Sequence, residues 1–221
     1  MNTTFKSERE LVSCITSYLD LNNDSFLKGR NQKVFTELNL GYGIADVVAV
    51  SYDQTNLQRK NFLAYFDISL LNLIGKEKKV SFDDIVYITK SPEKKIRSAL
   101  SSLMEEEFII YRKGHYISHK KYQDILTDSV AIEAKLHNWK QALKQAYRYK
   151  WFSNKSFVFL PYENIKIPSE NIEIFKKYNV GLASVSRDRG IEVIYTPVET
   201  APVSENMRIA LNEHLLFQTD F

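Results

Sequence analysis

The sequence predicts an α/β protein whose alternating strands and helices are interrupted midway by a mostly helical insert. Three observations predict it: strand-like apolar runs within residues 33–50 and over 129–135 and 156–160, amphipathic helical stretches beside them, and a change to consecutive helical stretches between about Asn61 and Lys121. The expected organisation is a core whose first part covers 1–60, an inserted domain over 61–121, and a second core part over 122–221.

Ser7-Glu8-Arg9-Glu10 has the spacing of a capping box, and Leu11, Ile15, Tyr18 and Leu19 follow at helical spacing, so a helix is expected to about Asp20. Asn22-Asn23-Asp24 ends it. Lys33 to Leu38 alternates as a strand does, Gly41-Tyr42-Gly43 supplies turn chemistry, and Ile44 to Val50 reads as a buried strand carrying one acid, Asp46. The pair forms a hairpin.

Within the insert, Phe62 to Ile74 is an apolar helix, Ser81 with Asp84 caps a second, and Ser91-Pro92 opens a third as N-cap and first helical residue. Ile96, Leu100 and Leu103 give the third helix its core face. Phe108 to Tyr111 and His115 to Ile117 then flank the basic turn Arg112-Lys113-Gly114. Three helices followed by such a hairpin is the winged-helix order. Beyond it come a strand over Ser129 to Lys135, a helix over His137 to Trp151, a strand over Ser156 to Leu160, a helix over Glu170 to Tyr178, and strands over Val180 to Val185 and Ile191 to Tyr195. From Thr196 the chain is polar with two prolines and a final helical stretch, to which no function is assigned.

With 221 residues, including 13 Phe and 13 Tyr, a sizeable core is expected. The net charge of +3 is too small to identify a nucleic-acid partner, so any such affinity must come from local clusters. A single cysteine, Cys14, excludes an intramolecular disulfide and a multi-cysteine zinc site, and fits a reducing cytoplasm. The first ten residues have no apolar h-region, and no run approaches the roughly 18 apolar residues that span a bilayer. A cytoplasmic protein without membrane contact is expected.

The chemistry concentrates in Val130-Ala131-Ile132-Glu133-Ala134-Lys135, where an otherwise apolar strand places a carboxylate and an ammonium on one face. Burying such groups costs several kcal/mol unless each finds a partner or a metal. Asp46 poses the same question on its own strand. If the strands are neighbours, Asp46 and Glu133 converge on one Mg²⁺ (or Mn²⁺) with waters completing its shell, and Lys135 lies beside the attacking water. That arrangement suits hydrolysis of a phosphodiester.

The D…E-x-K pattern on two apolar strands, flanked by helices, resembles the PD-(D/E)XK nuclease superfamily, although Ala45 stands where the family name has proline. Gln145 and Tyr149 reproduce the Q-x-x-x-Y feature of its RecB-like members. The resemblance implies a restriction-endonuclease-like αβββαβ core with an inserted winged helix-turn-helix. It further implies a Mg²⁺-dependent deoxyribonuclease in which Asp46 and Glu133 hold metal, Lys135 orients or activates water, and Gln145 and Tyr149 hold nucleic acid or organise the site. The family often adds an acid from the first helix; Glu8, which shares the inward face of Leu11, Val12 and Ile15, is the candidate, and Glu10 is assigned to capping.

Plainer readings stand beside these. A buried Asp is commonly a hydrogen-bonded structural residue, and a first-turn Glu complements the helix dipole. Lys94, Lys95 and Arg97 on the third helix of the insert, with Arg112, Lys113 and His115 in its wing, suit phosphate contacts to DNA or a solvated basic face. Winged helices also bind proteins or dimerise, so a homodimer, partner subunits, or a non-catalytic DNA-binding or regulatory protein on a nuclease-like scaffold remain open.

Overall fold

The computed structural model describes residues 4–21, 26–29, 31–41, 43–54 and 59–218. The expected stop at Asn22-Asn23-Asp24 and the turn residue Tyr42 lie outside the described residues. The chain is α/β with a mixed sheet, and it divides into two compact units: Met1–Gln54 with Leu126–Ser204, and Thr55–Ile125 with Glu205–Phe221.

In the first unit, β1 (Asn31–Asn39), β2 (Ile44–Tyr52), β5 (Leu126–Ala134), β6 (Lys155–Pro161), β7 (Gly181–Ser186) and β8 (Gly190–Tyr195) form one six-stranded sheet in that order. The pairs β5/β6 and β6/β7 are parallel and the others antiparallel. Helix α1 (Glu8–Leu21) lays Leu11, Ile15 and Leu19, spaced four apart, on the face built from Val47, Ile132 and Phe159. Side chains alternate along a strand, so Val48, Ala131 and Val158 face the other way. That second face is covered by α5 (Trp139–Tyr149) through Ala142, Ala146 and Tyr149. The central strands are thus buried on both faces, which is why they read as unbroken apolar runs and not as alternation. Packing of β7 on β6 also needs Gly181, because a Cβ there would lie 2.1 Å from the Phe157 ring.

Local sequence signals explain the helix ends. Ser7 Oγ accepts from Glu10 N at 3.2 Å, but the Glu10 carboxylate takes Lys6 N at 3.1 Å, so the expected capping box closes on one side only. Helix α5 begins later than expected: Asn138, in the left-handed conformation, is its N-cap and accepts from Gln141 N. A 3-10 turn at Tyr162–Asn164 and the short helix α6 (Lys166–Glu170) lead into α7 (Ile172–Tyr178).

The second unit contains α2 (Tyr65–Glu77), α3 (Phe82–Thr89), α4 (Glu93–Glu105) and the hairpin β3 (Ile109–Arg112) with β4 (His115–Ser118). Ser81 and Asp84 form a complete capping box. Pro92 itself occupies the N-cap of α4, one position earlier in the helix than expected. A bridge between Val80 and Tyr116 ties the hairpin back to the start of α3. The C-terminal helical stretch, expected with the core, is α8 (Glu205–Gln218), which belongs to this second unit and packs on α2.

A buried ion cluster holds α8 there. Arg59 pairs with Glu106 at 2.8 Å and with Glu213 at 2.9 Å, and none of the three side chains is more than 8% exposed. Glu213 also accepts from Leu63 N at 2.7 Å and from Tyr122 Oη at 2.8 Å, while Glu106 accepts from Lys60 N at 2.7 Å. Each carboxylate is therefore paired and hydrogen-bonded, the condition under which burying it is tolerable. Among the described residues, no helix is long and apolar enough to cross a membrane.

Candidate active site

The register of β2 on β5 pairs Val47 with Ile132, so the next step sets Asp46 opposite Glu133. Asp46 Oδ2 accepts from Ala134 N at 2.7 Å, which fixes its carboxylate against β5. Burial pushes this carboxyl up; the Ala134 N–H opposes that, and the carboxylates of Glu8 and Glu37 reinforce it.

Glu133 is 1% exposed and meets two partners. Its Oε1 lies 3.3 Å from Lys135 Nζ, and its Oε2 makes a short contact with Tyr149 Oη. Burial, with the nearby Asp46 charge, pushes the carboxyl up to about 7 against the opposing effects of Tyr149 and Lys135. Tyr149 Oη is also 2.8 Å from the Ile44 carbonyl. A phenol has one proton, so it cannot donate to both. A protonated Glu133 donating to Tyr149, which donates in turn to Ile44, supplies one proton to each contact, in keeping with the raised carboxyl.

Lys135 follows directly on β5. Its Nζ lies 2.9 Å from Glu8 Oε2 at the first turn of α1, so the structure brings Glu8 to the same cluster. Burial opposes its charge, but the bond to Glu8 and the fields of Glu133, Glu8 and Asp46 outweigh that, holding the ammonium above the usual lysine range. It stays cationic near neutrality, which suits it to positioning and charge compensation and not to proton abstraction.

Beside this cluster lies a cavity of about 680 Å³, lined among others by Glu8, Thr36, Glu37 and Asp46. Glu37 is a residue the sequence reading missed. It has a φ of 53° within β1, and the β1/β2 ladder passes from Thr36–Val47 to Leu38–Ala45, placing Glu37 opposite Asp46. A readable signal existed: the buried positions Phe35 and Leu38 are three apart, a slip in the period of two.

Tyr149 is buried, so it organises Glu133 and does not present a surface for nucleic acid. Gln145 lies one helical turn earlier on α5, and its Oε1 is buried with no hydrogen-bond partner. Among the described residues, no group of three or more His, Cys, Asp or Glu side chains is placed to hold a metal ion, so Glu8, Asp46 and Glu133 do not form a ready three-carboxylate cage.

The remaining expected contacts lie in the second unit. Lys94, Arg112 and Lys113 are exposed, and Lys113 with Gly114 makes the left-handed hairpin turn. His115 Nδ1 lies 2.8 Å from the Lys113 carbonyl. Two cations are already engaged: Lys95 Nζ sits 4.3 Å from the Phe66 ring centroid, and Arg97 bonds Glu93 at 3.0 Å while lying 4.1 Å from the Phe82 centroid. No family model, curated protein or solved structure matches this chain.

Proposed function

We propose that this chain is a metal-dependent nuclease hydrolysing DNA phosphodiester bonds, with a restriction-endonuclease-like core in the first unit and a winged helix in the second. The observation that carries the reading is the cross-strand placement of Asp46 against Glu133, with Lys135 bridging Glu133 and Glu8. Two adjacent carboxylates, both raised chiefly by burial, are groups that a bound cation would hold in their ionised forms. The residues fit one hard cation, since Mg²⁺ binds through one or two carboxylates and fills its shell with water and phosphate oxygens. The orphaned Gln145 Oε1 is a further oxygen donor on the α5 face that carries Tyr149.

In this reading Asp46 and Glu133 hold Mg²⁺ or Mn²⁺, which supplies Lewis acidity towards the phosphodiester and the attacking water. Tyr149 fixes the rotamer of Glu133 from behind. Lys135 orients the water and offsets negative charge developing on the phosphate. Glu8 holds the Lys135 ammonium in place. In the second unit, Lys94, Arg112 and Lys113 are exposed cations suited to phosphate contacts.

The test is cleavage of plasmid and linear DNA with and without Mg²⁺ or Mn²⁺, alongside Asp46→Ala and Glu133→Ala variants whose folding is checked by circular dichroism. Metal-dependent cutting lost in both folded variants is expected; undiminished cutting in both refutes the reading. The exposed cations of the second unit favour one alternative, a non-catalytic DNA-binding protein. There DNA binding without cleavage, abolished by charge reversal at Lys94, Lys95 and Arg97, is the expected result.

A further inference from the structure

A second concavity in the first unit, of about 320 Å³, opens on the outer side of α5 and α7. Trp139, Leu143 and Tyr147 recur every four residues on α5, and Ile174 and Tyr178 do so on α7, so each helix contributes one stripe. The rings are held in fixed attitudes: Trp139 stacks on Phe175 at 5.6 Å, and Tyr147 meets Tyr178 edge-on at 5.5 Å. Yet Tyr147 and Tyr178 remain 48% and 41% exposed.

The surroundings are cationic. Lys140 and Lys144 line the concavity, and among the described residues no acidic side chain does. Lys150 Nζ lies 5.4 Å from the Tyr147 ring centroid and 3.3 Å from the Tyr178 carbonyl, and Lys177 Nζ lies 5.8 Å from the Tyr178 centroid. Flat apolar faces bordered by ammonium groups complement a ligand that is flat, apolar and polyanionic at once.

We propose that this groove binds a single nucleic-acid strand, with bases stacking on Trp139, Tyr147 or Tyr178 and phosphates meeting Lys140 and Lys144. Alternating aromatic faces and basic side chains are how proteins track single strands without reading sequence. Size favours a strand over a peptide helix: a helix about 10 Å across needs a longer trough, whereas this volume lies at the low end of small-ligand sites and accepts one or two bases. The inference rests on the nuclease reading only for its choice of DNA over RNA. It adds a single-stranded substrate, or a strand retained beside the cut.

The experiment uses the full chain in EDTA, so that binding is measured without cleavage, with fluorescein-labelled dT20 followed by anisotropy across a salt series. Wild type binds dT20 with quenching of tryptophan emission, and the quenching is lost in Trp139→Phe. The double variant Lys140→Glu/Lys144→Glu weakens binding at least tenfold and lowers the slope of log affinity on log salt by about 1.4, as expected for two lost phosphate contacts. Tyr147→Ala weakens it by about fivefold or more. Absence of wild-type binding in 50 mM salt, or unchanged affinity in both groove variants, overturns the proposal, as does tighter binding of a Glu- and Phe-rich peptide in the groove. Asp46→Ala separates the two readings: it abolishes cleavage and leaves dT20 binding intact. Groove-dependent binding by a wild type that never cuts DNA sustains the groove and defeats the nuclease.

Discussion

Replacing Glu133 with Gln should stabilise the first unit, and the gain should depend on pH in a defined window. In the folded protein burial raises this carboxyl from 4.5 to about 7. At about 1.4 kcal/mol per unit, the ionised form costs on the order of 3 kcal/mol at pH 8 in the absence of metal. Below pH 4.5 both folded and unfolded chains carry the proton and no penalty exists. Between 4.5 and about 7 the folded state binds more protons, so stability falls as pH rises; above 7 the penalty is complete. The amide of the Glu133→Gln variant keeps the shape, donates to Tyr149 and releases the Tyr149 proton to the Ile44 carbonyl, so the variant lacks the Glu133 share of that fall and its advantage over wild type grows through this window. Both tryptophans, Trp139 and Trp151, lie in the first unit, making their fluorescence a local reporter of urea unfolding in EDTA. The variant should match wild type near pH 4.5 and exceed it by on the order of 3 kcal/mol at pH 8. Parallel stability profiles for the two proteins would refute the buried, proton-sharing arrangement.

Three further substitutions probe packing, buried charge and exposed charge. Gly181→Ala sets a methyl 2.1 Å from a core ring and should cost about 1–3 kcal/mol or more in tryptophan-monitored unfolding; an unchanged midpoint would mean that Phe157 is free to move. Glu213→Ala leaves Leu63 N, Tyr122 and one side of Arg59 without their acceptor and should destabilise the second unit by about 3–5 kcal/mol, whereas Glu93→Gln, at the exposed pair with Arg97, should cost less than about 1 kcal/mol. Thermal melts followed by far-ultraviolet circular dichroism measure both.

Much of the candidate cluster is legible in sequence because charge on an apolar strand is anomalous. Asp46, Glu133 and Lys135 interrupt runs that burial would otherwise keep apolar, and Glu8 is marked by its place ahead of the inward stripe of α1. Glu37 escapes the same logic, since β1 is an edge strand with a mixed pattern and its left-handed kink leaves only a slipped period behind. The role of Tyr149 depends on burial, which no local spacing records. For α8 the local signal misleads: Asn212 and Glu213 look like solvent-facing positions, yet both are fully buried and bonded to residues far away in sequence. Helix existence is a local property, whereas partnership is a long-range one.

The Arg59 cluster also sets an order of completion. Arg59 and Glu213 are 154 residues apart, so at roughly 5–20 residues per second the first waits on the order of ten to thirty seconds on the ribosome for the second. The strands β5, β6, β7 and β8 are all synthesised inside that interval, whereas β1 and β2 precede it. Of the two units, the one assembled around Arg59 is started before the sheet is finished and closed after it, and until Glu213 emerges Arg59 has Glu106 alone to neutralise it.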